Sequence, residues 1–226
     1  MGYKPLDVIY LCAGKGIRAN LGYPKQYSYL NGKPLYIHAL EKLISIKEIS
    51  NIIIVSDNDD DIKADIGIYD LQKCFSVLGG ETRQSSVFNG LNYVKSDFVL
   101  IAEAVRPFIT IDFIKKIINT EGNVIPYMPL NSTPFNKKTG DVLSRDDTVC
   151  VQTPQKYVTE MLNTSHKCAV KMGLKDCTDD LALMKRVGIC WNYTYIEGPI
   201  ENIKITYPID IVIAEAIYNY KNCIQE

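Results

Sequence analysis

The chain has 226 residues, 46% apolar and 23% charged, with a formal net charge of -1. That balance describes a globular protein with a substantial core, large enough for one domain or two small ones. A charge this close to zero excludes a global field for nucleic acid or an anionic membrane, and no apolar run approaches the ~20 residues that span a bilayer.

The seven cysteines stand at 12, 74, 150, 168, 177, 190 and 223, an odd number with no C-x-x-C pair. A zinc site or disulfide framework is not expected, and free thiols fit a reducing cytoplasm. MGYKPLDVIYLCAG runs into a strand with no long apolar region ahead of it, so no signal peptide is expected.

Asp7 to Cys12 is nearly continuous in apolar residues, the pattern of a strand buried on both faces. Pro34 opens a helix over 35–48, with Leu35, Ile37, Leu40, Leu43 and Ile44 at helical spacing. Residues 51–56 read as a second buried strand, and 74–80 as a short third one ending in Gly79-Gly80. A helix over 85–94, a strand over 97–104, a helix near 111–119 and a strand over 123–130 follow. Residues 131–148 are polar with a turn at Thr139-Gly140, and predict a protruding β-hairpin. A helix is expected after Gln155 and another over 179–188. Residues 189–198 and 201–206 read as late strands, and Pro208 starts a closing helix.

Strands alternating with helices predict a single α/β domain over 1–226: a doubly wound, mostly parallel Rossmann-like sheet with a β-arm at about 131–148. Ligands of such sheets sit beyond the carboxyl ends of the strands. The first such loop, Gly14-Lys15-Gly16-Ile17-Arg18-Ala19, has the form G-x-G-x-x-A. A dinucleotide fingerprint needs a helix there and an acidic residue ~20 positions on. Gly22 and Pro24 spoil the helix and no clean acidic residue follows, so a nicotinamide dehydrogenase is disfavoured. A glycine turn that wraps triphosphate oxygens with backbone N–H groups, flanked by the fixed charges of Arg18 and Lys25, explains more of the stretch.

This stretch resembles the polyol-phosphate cytidylyltransferases of the nucleotide-diphospho-sugar transferase superfamily, which make CDP-methylerythritol or CDP-ribitol. Ala13-Gly14-Lys15-Gly16-Ile17-Arg18 and Pro24-Lys25-Gln26 match their A-G-x-G-x-R … P-K-Q element. Four further blocks follow in the family's order: GGETRQSSVFNGL (79–91), EAVRPF (103–108), QTPQ (152–155) and ENIKIT (201–206), with CTDDLAL (177–183) before the last.

The resemblance implies transfer of CMP from CTP to a polyol phosphate, with release of pyrophosphate. Arg18, Lys25 and Lys204 would act on the α-phosphate and its transition state. Cys12, Ala13, Gly14, Gly16, Gly80, Glu81, Arg83, Ser86 and Ala104 would bind the nucleotide. Arg106, Thr133, Arg145 and Thr178 would hold the acceptor. Glu103 would ligate Mg²⁺, standing where the family usually has aspartate, with Ala102 in place of a frequent histidine and Val105 in place of a small residue. The arm, near 131–150, would reach across a homodimer, its usual D-T pair here Ser132-Thr133. Methylerythritol phosphate and ribitol phosphate compete as acceptor. A different pentitol or glycerol phosphate, or a weakened homologue that only binds nucleotide, are the alternatives. His38 and His166 read as structural, and Asp179 as a tie to Thr178 or Lys204, or as a helix start.

Overall fold

A computed structural model of the chain describes residues 5–14, 24–189 and 192–225. Gly16 and Arg18 of the expected phosphate loop, and Cys190, lie outside the described residues.

The central strands are β1 (Leu6–Cys12), β4 (Ile49–Ser56), β5 (Cys74–Leu78) and β6 (Phe98–Glu103), after a short hairpin of β2 (Tyr29–Leu30) and β3 (Lys33–Pro34). The main sheet continues with β7 (Asn123–Pro129), β8 (Val149–Val151), β9 (Gln155–Val158) and β10 (Tyr193–Glu197). Its order is β10-β7-β9-β6-β1-β4-β5, with β8 paired to β7. β5, β4, β1 and β6 are mutually parallel, as are β7 and β10, whereas β8 and β9 run antiparallel to their neighbours.

Alternation along each strand sends side chains to two cores. Val8 and Tyr10 of β1 face one layer, with α1 (Leu35–Ile44), α2 (Asp59–Ile68) and α4 (Ile111–Asn119). Ile9 faces the other, with α3 (Arg83–Leu91), α5 (Thr159–Lys171) and α6 (Asp180–Arg186). The long helix α7 (Pro208–Gln225) joins a third cluster with Leu30, Leu35, Val105, Phe108 and Ile205.

From β1 the chain winds outward through β4 to β5, then returns to the other side of β1 as β6. The β1/β6 boundary is therefore the switch point, where two loops leave the sheet in opposite directions and open a crevice.

Sequence and structure differ in four places. Residues 155–158 form strand β9 before helix α5 begins at Thr159. This strand carries a lysine into the sheet: Lys156 turns its ammonium to the carbonyls of Ile118 and Thr120 at the end of α4, and so satisfies groups a helix terminus leaves open. Residues 201–206 form no strand; they are an extended strap held mainly by side chains, with Ile205 N–H donating to Val105 O at 2.9 Å. Two further elements have no counterpart among the sequence expectations: α2, whose N-cap Asn58 accepts from Asp61 N–H, and the short β8. The arm is slighter than a full hairpin: a single bridge joins Phe135 to Val142, with Gly140 at φ +82° in the expected turn.

Candidate active site

The carboxyl ends of β1 and β6 lie side by side, with Leu11 paired to Glu103 and Ala104 N–H donating to Leu11 O at 3.0 Å. Above them opens a cleft of about 510 Å³. Cys12, Ala13 and Gly14 supply one wall, and Glu103, Ala104 and Val105 the facing one. Gln26 donates from Nε2 to Cys12 O at 2.8 Å, which pins a short 3-10 turn (Lys25–Tyr27) across the end of β1. Lys25 is held on the cleft by that turn. Cys12 stays a thiol, because burial pushes its pKa well up.

The third wall is the Gly79-Gly80 turn and the start of α3. Thr82 caps the helix by accepting from Ser85 N–H, and the Ser85 hydroxyl accepts from Thr82 N–H. Capping thus belongs to Thr82 and Ser85, which leaves Arg83 and Ser86 for other work. Ser86 accepts from Gly80 N–H at 3.1 Å and fixes the glycine turn. A Cβ on Gly79 would stand 2.6 Å from Ala13 Cβ, so only glycine lets the turn approach the β1 loop. Gly79→Ala is expected to cost about 1–3 kcal/mol by overpacking, read from urea unfolding.

Glu103 is the electrostatic centre of the cleft. Its Oε1 accepts from Lys204 Nζ at 2.8 Å, and its Oε2 from Thr153 Oγ1 at 3.2 Å. Arg83 Nε stands 3.6 Å from Oε1, and Arg106 Nε 3.5 Å from Oε2. Burial alone would raise its pKa, but Lys204, Arg83 and Arg106 together outweigh burial and hold it at about 2. The carboxylate is ionised and keeps Lys204 in one place.

A second layer fixes these groups. Arg106 is buried and donates from Nη1 to Asn202 O at 2.6 Å. Asn202 Nδ2 donates to Thr153 O at 3.0 Å and to Gln152 Oε1 at 3.2 Å. Asn202 therefore ties the strap carrying Lys204 to the loop carrying Thr153. Arg83 Nη1 donates to Asp180 Oδ2 at 2.7 Å. Burial would raise the Asp180 pKa too, yet Arg83 and His166 lower it to about 2. Asp179 caps α6 by accepting from Leu181 N–H at 2.8 Å and accepts from Gln155 Nε2 at 3.1 Å, so it holds a frame and touches neither Thr178 nor Lys204 through those bonds.

Of the residues singled out in the sequence, Cys12, Ala13, Gly14, Lys25, Gly80, Glu81, Arg83, Ser86, Glu103, Ala104, Thr178 and Lys204 all line this one cleft. Arg106 does not line it; the guanidinium lies buried behind Glu103. Thr133 and Arg145 are exposed on the arm, away from this chain's cleft walls. Thr153, Asp180 and Asn202 were passed over as site residues although each sat inside a recognised block, because their partners are distant in sequence. His38 packs as expected, bonded to Leu30 O and edge-on to Tyr218. Among the described residues no group of three or more His, Cys, Asp or Glu is placed to hold a metal by itself.

A mostly parallel sheet with a glycine turn and a cationic cleft at its switch point is the plan of an α/β nucleotidyltransferase. The family model for IspD, 2-C-methyl-D-erythritol 4-phosphate cytidylyltransferase, matches residues 6–220, and the chain belongs to that family of CTP-dependent cytidylyltransferases. It is 34% identical to the 2-C-methyl-D-erythritol 4-phosphate cytidylyltransferase of Clostridium botulinum, over 93% of this chain and 96% of that one. It is also 34% identical to the bifunctional enzyme IspD/IspF of Rhizobium etli, over 92% of this chain but 55% of the relative, so it spans about half the length of such bifunctional relatives. Among solved structures, the 4-diphosphocytidyl-2C-methyl-D-erythritol synthase of Anaerococcus prevotii superposes with a TM-score of 0.83 at 28% identity, covering 96% of each chain.

Proposed function

We propose that the protein transfers CMP from CTP to 2-C-methyl-D-erythritol 4-phosphate and releases pyrophosphate. The observation that carries this is the set of cations at the switch point: Lys204 and Arg83 gathered on ionised Glu103, with Lys25 on the same cleft. A phosphate oxygen of the acceptor attacks the α-phosphorus. The bond from that phosphorus to the bridging oxygen breaks, and pyrophosphate leaves with the electron pair. The acceptor phosphate is largely dianionic near neutrality, so no residue need remove a proton. The work is positioning and charge stabilisation. That suits a cleft lined by lysine and arginine, with no histidine among its described lining residues. The matching family model, the Clostridium botulinum relative and the Anaerococcus prevotii structure bear the methylerythritol name, which favours that acceptor over ribitol 5-phosphate.

Magnesium is part of this reading. Mg²⁺ takes one or two protein carboxylates and fills its shell with phosphate oxygens and water. Glu103 is ionised and lines the cleft, so it fits as the protein ligand of an ion held mainly by the triphosphate, in exchange for part of its contact with the cations around it. Such an ion would offset charge on the phosphates. Lys25 and Lys204 meet the rest of the charge, and the Gly79-Gly80 turn leaves room for the pyrimidine.

A homodimer belongs to the same reading. Phe135, Val142 and Leu143 are exposed apolar residues on the arm that also carries Thr133 and Arg145, as expected of a segment that packs on a partner. Mixing two inactive variants, Lys25→Ala and Arg145→Ala, is expected to restore turnover, because one site of the mixed dimer receives both intact residues. No recovery would place Arg145 in its own chain's site. The location is proposed to be cytoplasmic: all six described cysteines are free thiols. No helix among the described residues is long and apolar enough to cross a membrane.

A competition tests the acceptor. With CTP, Mg²⁺ and equal amounts of the two polyol phosphates, mass spectrometry is expected to show the CDP adduct of methylerythritol in excess. A dominant CDP-ribitol would overturn the assignment.

A further inference from the structure

We propose that His166, which does not line the cleft, is a positioning residue for the reaction, fixing the Arg83 guanidinium through Asp180. The inference rests on the reading that Arg83 meets the nucleotide. A lone arginine beside a cleft samples many rotamers, and holding it in one costs entropy. One carboxylate oxygen can anchor Nη1, but a carboxylate free on its other side can swivel. Here the other side is taken. Asp180 Oδ2 accepts from Arg83 Nη1 at 2.7 Å, while Oδ1 meets His166 Nε2 at 3.0 Å. The ionised carboxylate only accepts, so Nε2 is the donor and the ring's orientation is set.

The imidazole is fixed in turn. It stacks on Phe88 with ring centroids 5.7 Å apart and planes 2° from parallel. Phe88 lies on α3, the helix that Arg83 begins, so the contacts close a circuit from α3 through α6 and α5 back to α3. Asp180 and His166 are each 1% exposed, so water does not compete for these bonds. The circuit leaves one donor unused: Arg83 Nη2 is buried with no hydrogen-bond partner. Arg83 lines the cleft, and the edge held by Asp180 fixes its guanidinium there.

An apolar side chain would fill the same volume, so packing alone does not require a donor at 166. Glutamine places an amide N–H near the reach of Nε2, and asparagine places it short of it. His166→Asn is expected to raise the KM for CTP roughly tenfold, the loss of one hydrogen bond to a charged group, with kcat changed far less. His166→Gln is expected to recover most of that loss. In an Arg83→Ala background His166→Asn should add nothing to KM, because its route is already cut. Thermal unfolding of each variant separates a stability loss from the kinetic effect. An unchanged KM in His166→Asn, equal effects of Asn and Gln, or a full further KM rise on top of Arg83→Ala would overturn the inference. An unchanged KM in Arg83→Ala would refute the reading of Arg83 itself, and the inference with it.

Discussion

Lys25→Ala is expected to lower turnover by at least ~100-fold, the effect of deleting one preorganised charge donor aimed at a developing anion. Lys25 sits on the cleft because Gln26 bonds to Cys12 O, so the turn that bears it is part of the β1 terminus rather than a loose loop. Lys25 is buried as a residue, which limits water as a competitor and raises the electrostatic value of its contacts. Thermal unfolding of the alanine variant separates any loss of stability from the loss of the charge. Pyrophosphate release under saturating substrates, with thermal unfolding as control, reads the difference. A rate within a few-fold of the parent would remove Lys25 from the reaction.

Glu103→Gln should fail twice over. The substitution leaves Lys204, Arg83 and Arg106 crowded round a neutral amide. Breaking a buried charge cluster from one side typically costs about 3–5 kcal/mol. Arg83 keeps Asp180 and Arg106 keeps Asn202 O, which places the expected loss at the low end. The pKa gives a matching figure. A fall from the ordinary 4.5 to about 2 corresponds to about 3 kcal/mol. A depressed folded pKa means the contribution is present above pH 4.5 and is lost as pH falls toward 2. Unfolding free energy should therefore decline between those values in the parent and decline less steeply in Glu103→Gln. Turnover should also fall at least ~100-fold at neutral pH, since Lys204 loses the partner that aims it. A variant with parental stability and parental acid sensitivity would show that the cluster is decorative.

The parts of the fold legible in the sequence are those where burial is two-sided. Ile52 to Val55 are all fully buried, and such a run has little choice but a central parallel strand. β9 was illegible for the opposite reason. Its Gln155-Lys156-Tyr157-Val158 carries polar groups into the sheet, and Lys156 is tolerated only because α4 ends where its ammonium can reach. Residues 201–206 show strand-like alternation, yet no strand among the described residues pairs with them and Asn202 is tied instead by its side chain. α2 opens on three aspartates and offers the core little beyond Ile62 and Ile66, so its apolar face is too thin to announce a helix.

The site divides along the same physical line. Lys25 is legible from the glycine turn it follows, and Gly80, Arg83, Glu103 and Lys204 from the ordered blocks that resemble the cytidylyltransferases. Asp180 and Asn202 act only through partners far along the chain: Arg83 is 97 residues from Asp180, and Arg106 is 96 from Asn202. No local pattern encodes such contacts. His166 reads as structural in a polar helix stretch and is buried; its hydrogen bond toward the cleft runs through Asp180.

The rate of pyrophosphate release with CTP, Mg²⁺ and 2-C-methyl-D-erythritol 4-phosphate tests the central claim most directly, with ATP, GTP and UTP in place of CTP as controls. Release that requires both CTP and the acceptor is the result expected of this cleft. Silence with that acceptor while CTP binds, or release driven equally well by a purine triphosphate, would contradict the assignment.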